Sequence, residues 1–89
     1  MELKLTIPEY SDATGFISEW EDGFEIGTKI EDGVIQIILN KAGLISLGKQ
    51  LIALSQDAVP SGYHLHFDEY NSLEEGSIEL IIEKNNNSI

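Results

Sequence analysis

Two Asp-Gly dipeptides, Asp22-Gly23 and Asp32-Gly33, constrain the fold of this chain more than any other feature. Asp-Gly tolerates the positive backbone angles that tight hairpins need, so each marks an antiparallel reversal. They separate three extended segments, residues 16–20, 24–30 and 34–39, which predict a meander. Ahead of it residues 2–7 alternate, with Leu3, Leu5 and Ile7 on one face and Glu2, Lys4 and Thr6 on the other, and Pro8 closes that strand. Residues 34–39 (Val-Ile-Gln-Ile-Ile-Leu) are nearly continuous in apolar character, the pattern of a strand central in a sheet or covered on both sides.

A single helix follows. Asn40 is suited to its N-cap, because its side chain can accept a hydrogen bond from an otherwise unpaired early amide. Leu44, Leu47, Leu51 and Leu54 recur at helical spacing and Ile45 and Ile52 widen the stripe, leaving Lys41, Lys49, Gln50 and Gln56 for water. The spacing predicts a helix over 41–56, stopped before Pro60. Gly43 and Gly48 each weaken it by about 1 kcal/mol relative to alanine, and are expected to let the helix approach the sheet closely.

Pro60-Ser61-Gly62 then launches an alternating run, with Tyr63, Leu65 and Phe67 on one face and His64, His66 and Asp68 on the other. A last strand over 77–84 puts Ile78, Leu80 and Ile82 on one face and Glu79, Ile81 and Glu83 on the other. The loop between them is pinned by Tyr70 and Leu73. The expected fold class is α+β: a two-layer sandwich with one long helix packed on a mostly antiparallel five- or six-stranded sheet. Residues 1–84 form the single domain and 85–89 a polar C-terminal tail. Leu44, Leu47, Leu51 and Leu54 should be buried against Leu5, Ile26, Ile35 or Ile37, Leu65 and Leu80. One helix covers one sheet face, so an open face is expected to carry much of Lys4, Thr6, Glu25, Lys29, His64, His66, Glu79, Ile81 and Glu83.

Composition narrows the function. With 89 residues there is room for one core. The absence of cysteine excludes disulfides and thiolate metal sites and suits a reducing compartment. Sixteen acidic residues against five lysines and no arginine give a formal net charge of −11. Such a surface repels phosphate backbones, which argues against nucleic-acid binding, and favours encounter with a basic partner. No signal peptide or membrane-length apolar run is visible, so a soluble, cytoplasmic protein is expected.

Catalytic signatures are missing: there is no serine-nucleophile motif, glycine-rich phosphate loop or zinc-helix motif, so an enzyme is not expected. His64, His66 and Asp68 could supply neutral imidazoles and a carboxylate to one metal ion, but this short spacing is non-specific, and no metal or other cofactor is assigned. Trp20 among Glu19, Glu21 and Asp22 has two readings, an aromatic anchor for a basic partner or a ring tucked over the edge of the core. Glu69, Glu74 and Glu75 form a second acidic edge. The candidate partner-binding set is therefore Trp20, Glu21, Asp22, His64, His66, Asp68, Glu69, Glu74 and Glu75.

Residues 51–57 (Leu-Ile-Ala-Leu-Ser-Gln-Asp), 59–68 (Val-Pro-Ser-Gly-Tyr-His-Leu-His-Phe-Asp) and 73–82 (Leu-Glu-Glu-Gly-Ser-Ile-Glu-Leu-Ile-Ile) carry a resemblance. The stretch 40–84 resembles the immunity protein thirty-two family, and the amino-terminal meander follows it only loosely. That resemblance implies a small α+β protein, encoded beside a bacterial polymorphic toxin, that binds and silences a cognate toxin domain. Combined with the acidity, it implies an immunity protein acting on a basic toxin, a nuclease being the natural choice. Two alternatives stay open: a small metal-binding protein or metal-dependent hydrolase using His64, His66 and Asp68, and a homodimeric structural subunit pairing through its open sheet face.

Overall fold

In the computed structural model, which describes residues 1–86, the first regular element is a hairpin of β1 (Ile26–Glu31) and β2 (Val34–Leu39). Glu31 faces Val34 across the turn, and Ile26 faces Leu39 at the far end. Asp32 and Gly33 both hold positive φ, 53° and 76°, the geometry of a turn whose twist matches that of the strands it joins. Helix α1 (Lys41–Leu54) starts directly after β2, with Asn40 Oδ1 accepting from the Gly43 amide at 2.8 Å as the expected N-cap. A second antiparallel hairpin pairs β3 (His64–Phe67) with β4 (Leu80–Glu83), Leu65 facing Ile82 and Phe67 facing Leu80. The last three residues of the expected tail, 87–89, lie outside the described residues.

The class is α+β with one helix, but the expected five- or six-stranded sheet is two sheets of two strands each. They are stitched through residues 74–78, which run beside β1. The Glu74 and Ile78 amides donate to the carbonyls of Ile26 (2.9 Å) and Thr28 (3.4 Å). Ser77 intervenes with a side chain where a regular strand would offer a carbonyl: the Thr28 amide donates to its Oγ at 3.1 Å. The Thr28 hydroxyl also donates to the Ile78 carbonyl.

Residues 2–7 and 16–20, both read as strands, are irregular. Side chains of α1 and of Gln56 just past its end, rather than a ladder, hold the chain that precedes β1. Gln56 Nε2 donates to the Pro8 carbonyl and its Oε1 accepts from the Tyr10 amide, both at 3.0 Å. Ser46 Oγ accepts from the Glu21 amide at 2.8 Å, and Gln50 Nε2 donates to the Glu19 carbonyl at 3.1 Å. Backbone groups satisfied by these side chains do not need a neighbouring strand.

The core cluster is Ile26, Leu47, Leu54, Val59, Leu65, Phe67 and Leu73. The helix turns a different stripe inward from the one its leucines suggested: Gly43, Ser46, Leu47, Gln50, Ala53 and Leu54 are buried, whereas Leu44, Leu51 and Ile52 are exposed. The buried set also follows the 3.6-residue period, rotated toward the small and amide side chains that engage the 19–21 segment. Gln50 and Gln56, expected in water, are instead buried and half-buried ties. Gly43 allows the close approach expected of it, since a Cβ there would collide with the Glu25 carbonyl, whereas Gly48 has open space around it. Ile35 and Ile37 lie outside the core, and β2 as a whole is an exposed edge rather than a covered central strand.

Candidate partner-binding surface

The nine residues selected from sequence fall into four places. Trp20, His64 and His66 share one. They line an open cleft of about 260 Å³ between residues 16–20 and β3, with Phe16, Gln50 and Asn71. Trp20 is half-buried, stacked on Phe24 at 4.4 Å between ring centroids and edge-on to Phe67 at 5.9 Å. That is the ring tucked over the core, one of its two sequence readings, with one edge left to the cleft. His64 and His66 stand on the outer face of β3, opposite Glu83 and Ile81, and His66 Nε2 lies 3.2 Å from Glu79 Oε2. Gln50 Oε1 is buried at the back of this cleft, with no hydrogen-bond partner among the described residues.

Asp68 does not join the histidines. It lies past the end of β3, where its Oδ1 accepts from the amides of Tyr70 (2.9 Å) and Asn71 (3.0 Å) and closes an Asx turn. Glu69 is also used internally, its Oε1 accepting from the Gly76 amide at 3.1 Å. These two carboxylates hold the 68–76 loop in shape. No cluster of three or more His, Asp or Glu side chains suited to a metal ion occurs among the described residues.

The other acids present themselves outward. Glu74 and Glu75 line an open groove of about 510 Å³ beside β1, together with Glu25, Ile38 and Lys29. Glu21 and Asp22 form the acidic turn before β1. The carboxylates of Glu21, Asp22, Glu74 and Glu75 are exposed and take no hydrogen bond or ion pair among the described residues. Three of the five lysines, by contrast, are engaged. Lys29 pairs with Glu31 and Lys49 with Glu19, each at 3.3 Å, and Lys84 Nζ donates to the carbonyls of Gln56 and Val59 at 2.6 and 2.8 Å. Two lysine charges are thus paired with carboxylates within the chain, and the charge left unpaired is predominantly negative.

Asn40 ties the acidic turn to the groove. Its Nδ2 donates to the Gly23 carbonyl at 2.9 Å, and its Oδ1 accepts from the Glu25 amide at 2.9 Å while also capping the helix. One side chain therefore sets the relation of Asp22-Gly23, Glu25 and the start of α1. Sequence reasoning found Asn40 only as a cap and left Glu25 out of the binding set. The signal was available, since an amide carries both donors and acceptors and a cap engages only its oxygen.

A family model for Immunity protein 32 matches residues 34–85, more than half of the chain, from β2 to just past β4. The chain belongs to the Immunity protein 32 family. The role that family carries is immunity, which implies a cognate toxin as the partner. Neither a curated protein nor a solved structure matches the chain. The family match takes in the histidine strand, the 68–76 loop and the acids Glu74 and Glu75, and it leaves out the turn at Glu21 and Asp22. Among the described residues no helix is long and apolar enough to cross a membrane.

Proposed function

We propose that the protein neutralises a cognate toxin domain by stoichiometric binding in the cytoplasm, without catalysis, and that the toxin is a basic nuclease met through the acidic surface. The observation that carries this reading is the set of unengaged carboxylates, Glu21, Asp22, Glu74 and Glu75, against lysines that are mostly tied down. A nuclease groove built to hold phosphate is lined by basic side chains, and outward carboxylates compete for them. The half-exposed Trp20 ring and the histidine face of β3 supply the less charged part of the contact.

Charge of this kind acts first on encounter. Opposite potentials raise the association rate and salt screens them, the Debye length being about 8 Å at physiological ionic strength. The decisive variant reverses Glu21, Asp22, Glu74 and Glu75 to lysine. Cells expressing the cognate toxin should survive with the native protein and die with the variant, while circular dichroism shows the same fold for both. A folded variant that still protects would reduce the acidic edge to a solubility device and place recognition elsewhere.

A further inference from the structure

The β1–β2 hairpin ends on an open edge whose hydrogen-bonding parity is fixed. The Asn40 amide donates to the Glu25 carbonyl, and the register sets Ile38 opposite Gly27 and Gln36 opposite Lys29. Hydrogen-bonded pairs alternate with non-bonded ones along an antiparallel ladder. Gln36 and Ile38 therefore direct their backbone groups to β1, and Ile35, Ile37 and Leu39 direct theirs outward. The far side of β1 obeys the same parity, for there Ile26 and Thr28 meet Glu74 and Ile78. Among the described residues nothing pairs with the outward groups of β2.

Native proteins blunt such edges with charge, proline or a bulge, and Val34–Leu39 has none of these. Its aliphatic side chains are instead left in water, Val34 at 63%, Ile35 at 66% and Ile38 at 53% exposure. On the helix, Leu44 and Leu51 are also exposed, on the flank turned away from the 19–21 segment that Ser46, Lys49 and Gln50 hold. The chain passes from the edge strand through Asn40 directly into this helix, so exposed apolar side chains stand on two consecutive elements.

We propose that β2 is the two-fold interface of a homodimer, pairing antiparallel with β2 of a second copy so that Ile37 faces the partner's Ile37 on the axis. The three outward residues are spaced symmetrically about Ile37. In this register Ile35 meets the partner's Leu39, Leu39 meets the partner's Ile35, and every outward amide and carbonyl of the strand is satisfied. The product is a continuous four-stranded sheet, β1-β2-β2-β1, in which β2 is central. An isologous contact of this kind needs a self-complementary patch, and an uncharged aliphatic strand supplies one despite a net charge of −11 per chain.

Charge complementarity appears at the ends of the paired strands. The same register carries the Glu31-Asp32 turn of each copy to the point where the partner's Lys41 opens its helix. A basic toxin fits this edge poorly, because residues 34–40 offer it no carboxylate. The proposal therefore stands apart from the toxin-binding reading and can fail or hold independently of it.

The test uses the full chain, alone. Sedimentation equilibrium should return twice the 9.9 kDa chain mass for the native protein, and 9.9 kDa for Ile35→Lys with an unchanged circular dichroism spectrum. Native protein that stays monomeric up to about 1 mM would overturn the proposal. So would a monomeric protein whose Ile35→Lys variant no longer protects against the toxin, since the edge would then belong to the toxin. The register is tested separately in this cysteine-free chain. Gln36 and the partner's Ile38 form a non-hydrogen-bonded pair with Cα atoms about 4.5 Å apart, inside the disulfide range. Oxidising a mixture of Gln36→Cys and Ile38→Cys proteins should give a covalent heterodimer that neither variant forms alone. Equal cross-linking in the single-variant samples, or none in the mixture, would refute the Ile37-centred pairing.

Discussion

The two hairpins of this molecule treat water in opposite ways. In β3–β4 the alternation is clean: Leu65 and Phe67 are buried, while His64 and His66 on the other face are exposed. In β1–β2 only Ile26 and Thr28 are buried, and the apolar strand β2 lies almost wholly outside. Yet β2 contains more aliphatic residues than any other strand. Alternation specifies a strand with one covered face. A continuous apolar run specifies a strand that needs cover on both faces, and this chain does not provide it within a single copy.

The largest expected effects separate the hairpins directly. Phe67→Ala removes a ring that packs on Trp20 and sits in the core, and should cost about 3–5 kcal/mol in urea unfolding. Ile38→Ala, at a concentration where the chain is monomeric, should change stability by no more than about 0.5 kcal/mol, because its side chain already stands in water. Comparable losses at the two positions would show that β2 is covered within the monomer, and the contrast between the hairpins would collapse.

That contrast also marks how far the sequence could be read. The Asp32-Gly33 turn, the β2 boundaries, the Asn40 cap and the alternating β3 strand follow from local chemistry, and the chain adopts them. The helix face was misjudged because Leu44 and Leu51 outrank Ser46 and Gln50 in apolarity, while the neighbouring chain needed hydrogen-bonding partners more than hydrocarbon. Segment 2–7 alternates as a strand does and 16–20 reads as extended before a turn, but neither pattern can reveal that Gln56, Gln50 and Ser46 would claim the backbone groups of Pro8, Tyr10, Glu19 and Glu21. In the candidate site, the cleft grouping Trp20 with His64 and His66 joins residues more than forty positions apart, which no local pattern encodes. Asp68 follows from its place on the histidine face of the alternating run and Glu69 from its charge, and only the loop geometry reveals that their carboxylates are already occupied.

A pair of glycines in the helix sharpens the comparison at the seam between β1 and α1. Gly43→Ala should destabilise by about 1–3 kcal/mol, since the new methyl meets the Glu25 carbonyl and must push the helix from the start of β1. Gly48→Ala meets nothing and removes chain entropy from the unfolded state, so it should stabilise by about 0.4–1 kcal/mol. Thermal unfolding of the two variants therefore moves in opposite directions. A stabilising Gly43→Ala would mean that the hairpin is free to shift relative to the helix, and that its exposed edge is a loosely held one.

The smallest expected stability change tests whether the polar face of β3–β4 is a recognition surface. His66 Nε2 lies 3.2 Å from Glu79 Oε2, but both side chains are well exposed, and ion pairs in water contribute about 0–1 kcal/mol at most. His66→Ala should accordingly leave urea unfolding unchanged within about 0.5 kcal/mol. Its cleft neighbours Trp20 and Phe67 keep their ring contacts, so the surface around it is preserved. Any loss of toxin affinity in calorimetric titration then reports a missing contact rather than a damaged fold. A contact at the edge of the interface should weaken binding about tenfold, equivalent to about 1.4 kcal/mol. Unchanged affinity would remove the histidine strand from the interface and concentrate recognition on the groove of Glu74 and Glu75, beside the other hairpin.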